Sequence, residues 1–69
     1  MREAITVRVY MSASANASQV HACMWVRCAD GQWTSGKGNA GGYGYHKESA
    51  AIADAVRSAG IALYGHARP

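Results

Sequence analysis

The chain has 69 residues, enough for a single domain over residues 1–69, and a domain of this size buries only about 60% of the surface that its unfolded chain exposes. Seven lysines and arginines against four aspartates and glutamates give a net charge of +3, which favours anionic partners. The basic residues are scattered along the chain and do not form a nucleic-acid-binding arm. Two cysteines are too few for a disulfide framework, and there is no CxxC pair to suggest zinc. No run of about 18 apolar residues is present to span a membrane, so we expect a cytoplasmic protein.

Three strands are predicted in the first half of the chain. Residues 5–10 alternate between apolar and polar side chains, as a half-buried strand does. Residues 19–29, QVHACMWVRCA, form a second strand, and the Asp-Gly pair at 30–31 favours a tight hairpin that returns as a third strand at 32–35. The core-facing side of the second strand is predicted to carry Val20, Ala22, Met24, Val26 and Cys28.

A helix is predicted for HKESAAIADAVRSAG, residues 46–60. Its apolar side chains recur at helical spacing, which indicates a buried stripe of Ile52, Val56 and Ala59. Gly60 is the residue type that ends helices in the left-handed conformation. The helix therefore has both an apolar face and a defined end.

These elements predict an α+β fold of two layers, in which one helix covers an antiparallel sheet. The order is β-β-β-α, and IALY at residues 61–64 could add a short final strand, so the sheet has three or four strands. Residues 65–69 are expected to form a flexible tail.

The segment SGKGNAGGYGYHKES, residues 35–49, carries five glycines in nine positions and then tyrosine, histidine and lysine. Residues 36–41 fit G-x-G-x-x-G, but the helix does not begin at once and no βαβ unit surrounds it, so a dinucleotide site is not predicted. A mobile hairpin connection and a loop that recognises a protein, a phosphate-bearing ligand or nucleic acid both remain open. The candidate recognition residues are Gly36, Lys37, Gly38, Gly41, Gly42, Tyr43, Tyr45, His46 and Lys47.

Neither catalysis nor metal binding is predicted. His21 and Cys23 share a strand face, but two ligands do not make a structural zinc site. Both cysteines lie within a strand, and neither paired carboxylates nor a Ser/His/Asp arrangement is present, so we expect no enzyme and no cofactor. One helix leaves part of the sheet uncovered, which favours a homodimer with Cys23, Trp25 and Trp33 at its interface.

The segment GKGNAGGYGYHKESAAIADAVRSAGIAL, residues 36–63, resembles part of the small uncharacterised accessory proteins of enterobacterial phages and prophages. The resemblance implies a binding protein in the bacterial host cytoplasm that acts as a stoichiometric inhibitor of a host defence system or another host factor. The residues themselves support an alternative, a small nucleic-acid- or nucleotide-binding module. In that alternative Tyr43 and Tyr45 stack on bases while Lys37 and Lys47 meet phosphates.

Overall fold

The computed structural model describes residues 2–16 and 18–62, so the tail predicted at 65–69 lies outside the described residues. The elements follow one another along the chain as β1 (Arg2–Ala13), β2 (Gln19–Cys28), β3 (Trp33–Gly41), α1 (Tyr45–Ala59) and β4 (Ile61–Ala62). The strands form one sheet in the order β3-β2-β1-β4. The predicted α+β class, with one helix, is confirmed.

The prediction of an antiparallel sheet is wrong for β4, which runs parallel to β1. Strands β1 and β3 each pair antiparallel with β2, so they run in the same direction. The helix carries the chain back along the sheet, and the strand that follows it therefore starts in the direction of β3 and β1. The described part of the predicted final strand is β4, and it pairs with β1 at Arg2 and Glu3.

The centre of the sheet is β2, and its alternation sets the inside and outside of the molecule. Its predicted core side is confirmed, because every second residue from Val20 to Cys28 is buried. Residues directly opposite one another in an antiparallel pair share a face. Val7 and Val9 of β1, which lie opposite Val26 and Met24, are therefore on the same face as the core.

Helix α1 packs on β2 and β3 through its smallest side chains. Ala51, Ala55 and Ala59 are buried against the sheet, at a spacing of four residues that keeps them on one side of the helix. The predicted stripe is therefore wrong in part, since Ile52 and Val56 lie at the margin of the core and are only half-buried. Alanine lets the helix axis approach the sheet more closely than isoleucine or valine would allow.

The other half of this close approach is supplied by glycine in β3. Residues 36–41, predicted to lie in a loop, instead belong to β3. A Cβ atom at Gly38 would overlap the carbonyl oxygen of Ala51, and one at Gly36 would lie 2.6 Å from the backbone nitrogen of Ala59. The run of small residues therefore forms a seam in which helix backbone rests directly on strand backbone.

Two glycines with positive φ frame the helix. Gly44, at φ 118°, precedes its first residue, and Gly60, at φ 67°, ends it in the left-handed conformation and donates its N–H to the carbonyl of Arg57 at 3.2 Å. The predicted helix end at Gly60 is confirmed.

The outer edges of the sheet differ. On β3, the backbone N–H of Lys37 donates to Ser58 Oγ at 3.3 Å, and that of Asn39 donates to Asp54 Oδ2 at 3.2 Å. Arg57 holds Asp54 in place by donating to its other oxygen at 3.2 Å. On β1, β4 pairs only with Arg2 and Glu3, and no other strand within residues 2–16 and 18–62 pairs with the rest of this outer edge.

Candidate functional site

The face of the sheet opposite α1 is uncovered by the described residues, and its side chains form four rows of three across β1, β2 and β3. The strand registers define each row, because residues directly opposite one another lie side by side on the same face. From one end to the other the rows are Thr6, Arg27 and Trp33; Arg8, Trp25 and Ser35; Tyr10, Cys23 and Lys37; Ser12, His21 and Asn39. We call these twelve residues the open face.

Three aromatic residues cross the open face on a diagonal. Trp33 on β3, Trp25 on β2 and Tyr10 on β1 each lie one row beyond the last. Their exposed fractions are 57%, 49% and 56%, so about half of each side chain is open to solvent. Diagonal neighbours in a sheet are roughly 7–8 Å apart, so the three rings form one stepped apolar track.

Cations flank the aromatic track on both sides. Arg27 and Arg8 lie along one side of it and Lys37 lies along the other. No carboxylate stands in any of the four rows; Glu3 lies beyond the β-bulge between Ala4 and Thr6. The open face is therefore positively charged as well as aromatic.

Two of the four acidic residues form ion pairs elsewhere in the described chain. Asp30 lies 3.4 Å from Arg2 at the β2–β3 hairpin, and Asp54 lies 3.2 Å from Arg57 on α1. The backbone N–H of Gln32, with Arg2 as a further contribution, lowers the pKa of the Asp30 carboxyl. Because these carboxylates are paired away from the open face, they do not offset its three cations.

In the fourth row, a hydrogen bond joins His21 and Asn39. The Nδ1–H of His21 donates to Oδ1 of Asn39 on the neighbouring strand. The carbonyl oxygen of asparagine only accepts, so this bond leaves Nε2 of a neutral His21 as an acceptor. This end of the face therefore offers hydrogen-bonding groups.

The structure divides the recognition residues predicted from the glycine-rich segment into three places. Gly36 and Gly38 are buried beneath α1, where they shape the packing and have no exposed surface to offer a partner. Lys37, between them, points to the open face and lies beside Cys23. The open face thus brings Lys37 together with Trp25 and Trp33, which the sequence analysis assigned to a dimer interface.

The remaining predicted residues cluster at the start of α1. Gly41 ends β3, and Gly42 has a φ of 110° and approaches the side chain of Lys47. Tyr45 and His46 contact one another edge to face, with ring centroids 5.7 Å apart. The segment is exposed at its aromatic side chains.

Next to the start of α1, Tyr43 and Glu48 line a shallow cavity of about 260 Å³ whose opposite wall is the end of β1. Pockets that enclose a small organic ligand have volumes of about 300 Å³ or more. The shallow cavity therefore offers less enclosure than such a ligand needs.

Arg8, Tyr10 and Arg27 were not predicted from the sequence as members of a site. The basic residues are scattered along the chain, but pairing of β1 with β2 and of β2 with β3 brings three of them to one face. They lie on the polar side of each predicted strand, and they could be identified as neighbours once the register between the strands is known. Register depends on turn and bulge geometry that periodicity alone does not give.

Searches against protein-family models, curated proteins and solved structures found no match. Among the described residues, no helix is long and apolar enough to cross a membrane. Nor do three or more His, Cys, Asp or Glu side chains of that part of the chain come together where a metal ion could be held.

Proposed function

We propose that this protein binds single-stranded nucleic acid on the open face and acts without catalysis. The observation that carries the proposal is the diagonal of Trp33, Trp25 and Tyr10 flanked by Arg27, Arg8 and Lys37. Nonspecific single-strand binding uses aromatic rings on which bases stack together with cations that follow the phosphate backbone. The open face supplies both on a rigid sheet.

The two groups of side chains have different tasks. Each exposed ring accepts the face of one unpaired base, and stacking of this kind contributes about 1–3 kcal/mol per base. The guanidinium groups of Arg8 and Arg27 lie on one side of the rings, where they meet phosphates by bidentate hydrogen bonds. A duplex hides the faces of its bases, so the site prefers single strands.

This proposal keeps the alternative function of the sequence analysis but moves its site. Stacking is assigned to Trp25, Trp33 and Tyr10 in place of Tyr43 and Tyr45, because the latter two lie apart from the cluster of cations. Lys37 keeps its proposed role as a phosphate contact.

A second candidate is the stoichiometric inhibitor of a bacterial defence component or other host factor, acting in the host cytoplasm. The exposed aromatic cluster of Tyr43, Tyr45 and His46 at the start of α1 favours it. Tyrosine is among the residue types that dominate protein–protein binding energies. In this case the cluster, and not the open face, is the contact surface.

Fluorescence anisotropy with labelled oligo-dT and oligo-U tests the proposal, with a duplex of equal length as the competitor. We expect Trp25→Ala to weaken single-strand binding by about 5- to 150-fold, the range that corresponds to one lost stacking contact. Tyr45→Ala is the matched control, since it removes an exposed aromatic ring from the other side of the molecule. Circular dichroism establishes that both variants fold.

Salt dependence gives an independent measurement. With three phosphate contacts, the slope of log K against log salt concentration should be about −2, and Lys37→Ala should reduce its magnitude by about 0.7. Absence of binding to any single strand at low salt refutes the proposal. A bound host protein whose affinity depends on Tyr45 and not on Trp25 establishes the second candidate.

A further inference from the structure

The described residues cover the apolar side of β1 only in part. Val7, Val9 and Met11 lie on the helix side of the sheet, yet α1 packs on β2 and β3, and the exposed fractions of these three side chains are 36%, 37% and 37%. Ile52 and Val56 of α1 are also only half-buried, at the margin of the core. A domain of this size therefore exposes a continuous apolar strip along the strand.

Within residues 2–16 and 18–62, the same strand has an unpaired backbone edge. Residues 6–13 pair with β2 on one side, Ile5 lies at the bulge between Ala4 and Thr6, and no described residue pairs with residues 5–13 on the other side. Nine residues extend about 30 Å, and edge strands of this length template pairing with a further strand unless charge, proline or a covering side chain prevents it. Arg8 is the single charged residue in this range, which contains no proline.

We propose that a second copy of this chain pairs its β1 antiparallel with this edge, about a twofold axis through Val9. The strand is self-complementary in that register. On the helix side, Val9 lies opposite its own counterpart and Val7 lies opposite Met11 of the second copy. On the open face, Arg8 lies opposite Tyr10 of the second copy, an arrangement that allows a cation–π contact.

Neighbouring registers are less favourable. An axis through Arg8 places two guanidinium groups directly opposite one another, and like charges in that position are destabilising. An axis at Tyr10 would leave Ile5 and Thr6 of each copy without a counterpart in the nine-residue edge. The register about Val9 pairs residues 5–13 with residues 13–5 of the second copy, so every residue of the edge is used.

The position of β4 is compatible with pairing of a second copy along residues 5–13. Strand β4 pairs with β1 at Arg2 and Glu3, and Ala4 separates this pairing from the nine-residue edge. The described residues of β4, Ile61 and Ala62, and the second copy therefore occupy different parts of one edge. The nine-residue edge is bounded at its other end by Ala13, where β1 ends.

Sedimentation velocity at micromolar concentrations tests the pairing. We expect the wild-type chain to sediment with twice the 7.3 kDa mass of one chain. Val9→Lys places two like charges opposite one another at the axis and should give a folded monomer. Ala53→Lys, which adds the same charge on the exposed side of α1, is the control and should remain dimeric.

Cysteine cross-linking in a Cys23→Ser background tests the register even if Val9→Lys fails to fold. Directly opposed residues lie within the Cα separation that a disulfide needs. Val9→Cys should cross-link to itself, whereas Val7→Cys should cross-link only when mixed with Met11→Cys. A wild-type monomer, or self-cross-linking of Val7→Cys as efficient as that of Val9→Cys, overturns the proposal.

Discussion

Replacing Gly36 by alanine tests the seam between α1 and β3. The added methyl group would lie 2.6 Å from the backbone nitrogen of Ala59 and 2.8 Å from its Cβ atom. Ordinary van der Waals contacts between such atoms begin near 3.5 Å. The obstructing nitrogen belongs to the helix backbone, so a side-chain rotation cannot remove the overlap.

The helix must therefore move away from β3 by about 1 Å to reach that separation. Overpacking a well-packed interior by one methylene costs about 1–3 kcal/mol. Displacement of the helix also loosens the contacts of Ala51 and Ala55, so we expect a loss near the upper end of that range. A domain of this length has a free energy of unfolding of roughly 3–10 kcal/mol, so a large part of it would be lost.

Urea unfolding followed by tryptophan fluorescence measures the effect, because both tryptophans lie on the sheet. Gly41→Ala is the matched control: it lies in the same strand, and a Cβ atom there has no neighbour within 4 Å. We expect Gly41→Ala to change the free energy of unfolding by less than about 0.5 kcal/mol. Equal unfolding midpoints for Gly36→Ala and Gly41→Ala would refute the backbone-on-backbone packing.

Two further predictions concern the turns. Gly60→Ala forces a side chain into the left-handed conformation at φ 67° and should lower the free energy of unfolding by about 1 kcal/mol, measured by the same urea titration. The pKa of Asp30 is lowered mainly by the N–H of Gln32, so its ionised form stabilises the fold above the ordinary carboxyl pKa, and this contribution is lost as the pH falls through the lowered value. The stability difference between wild type and Asp30→Asn should therefore be constant near neutral pH and shrink below about pH 4; a difference that persists in acid would contradict it.

Periodicity in the sequence predicted β2 well because its core is apolar at every second position. The Asp30-Gly31 pair predicted the hairpin after it, and the structure places Gly31 at a φ of 84° as a tight turn requires. The alternation in β2 and the Asp-Gly turn both depend on residues that are close in sequence, so they can be recognised from the sequence alone.

The glycine-rich half of β3 could not be predicted in the same way. Glycine is depleted in strands, so GKGNAG resembles a loop when it is considered alone. What makes it a strand is a helix whose alanines recur every four residues and leave room for backbone contact. The open face could not be predicted for a related reason. Arg8, Trp25 and Lys37 become neighbours only when β1, β2 and β3, which are distant in sequence, pair with one another.

The hydrogen bonds from β3 to Ser58 and Asp54 bear on how far association can proceed. A sheet with two unpaired edge strands can add a further copy at each edge and grow into a fibre. A sheet with one unpaired edge strand can pair with only one further copy. Ser58 and Asp54 accept hydrogen bonds from the outward N–H groups of Lys37 and Asn39, so these groups are not free to pair with a further strand. In the proposed dimer, β1 therefore pairs with a second copy while β3 resists the addition of further copies.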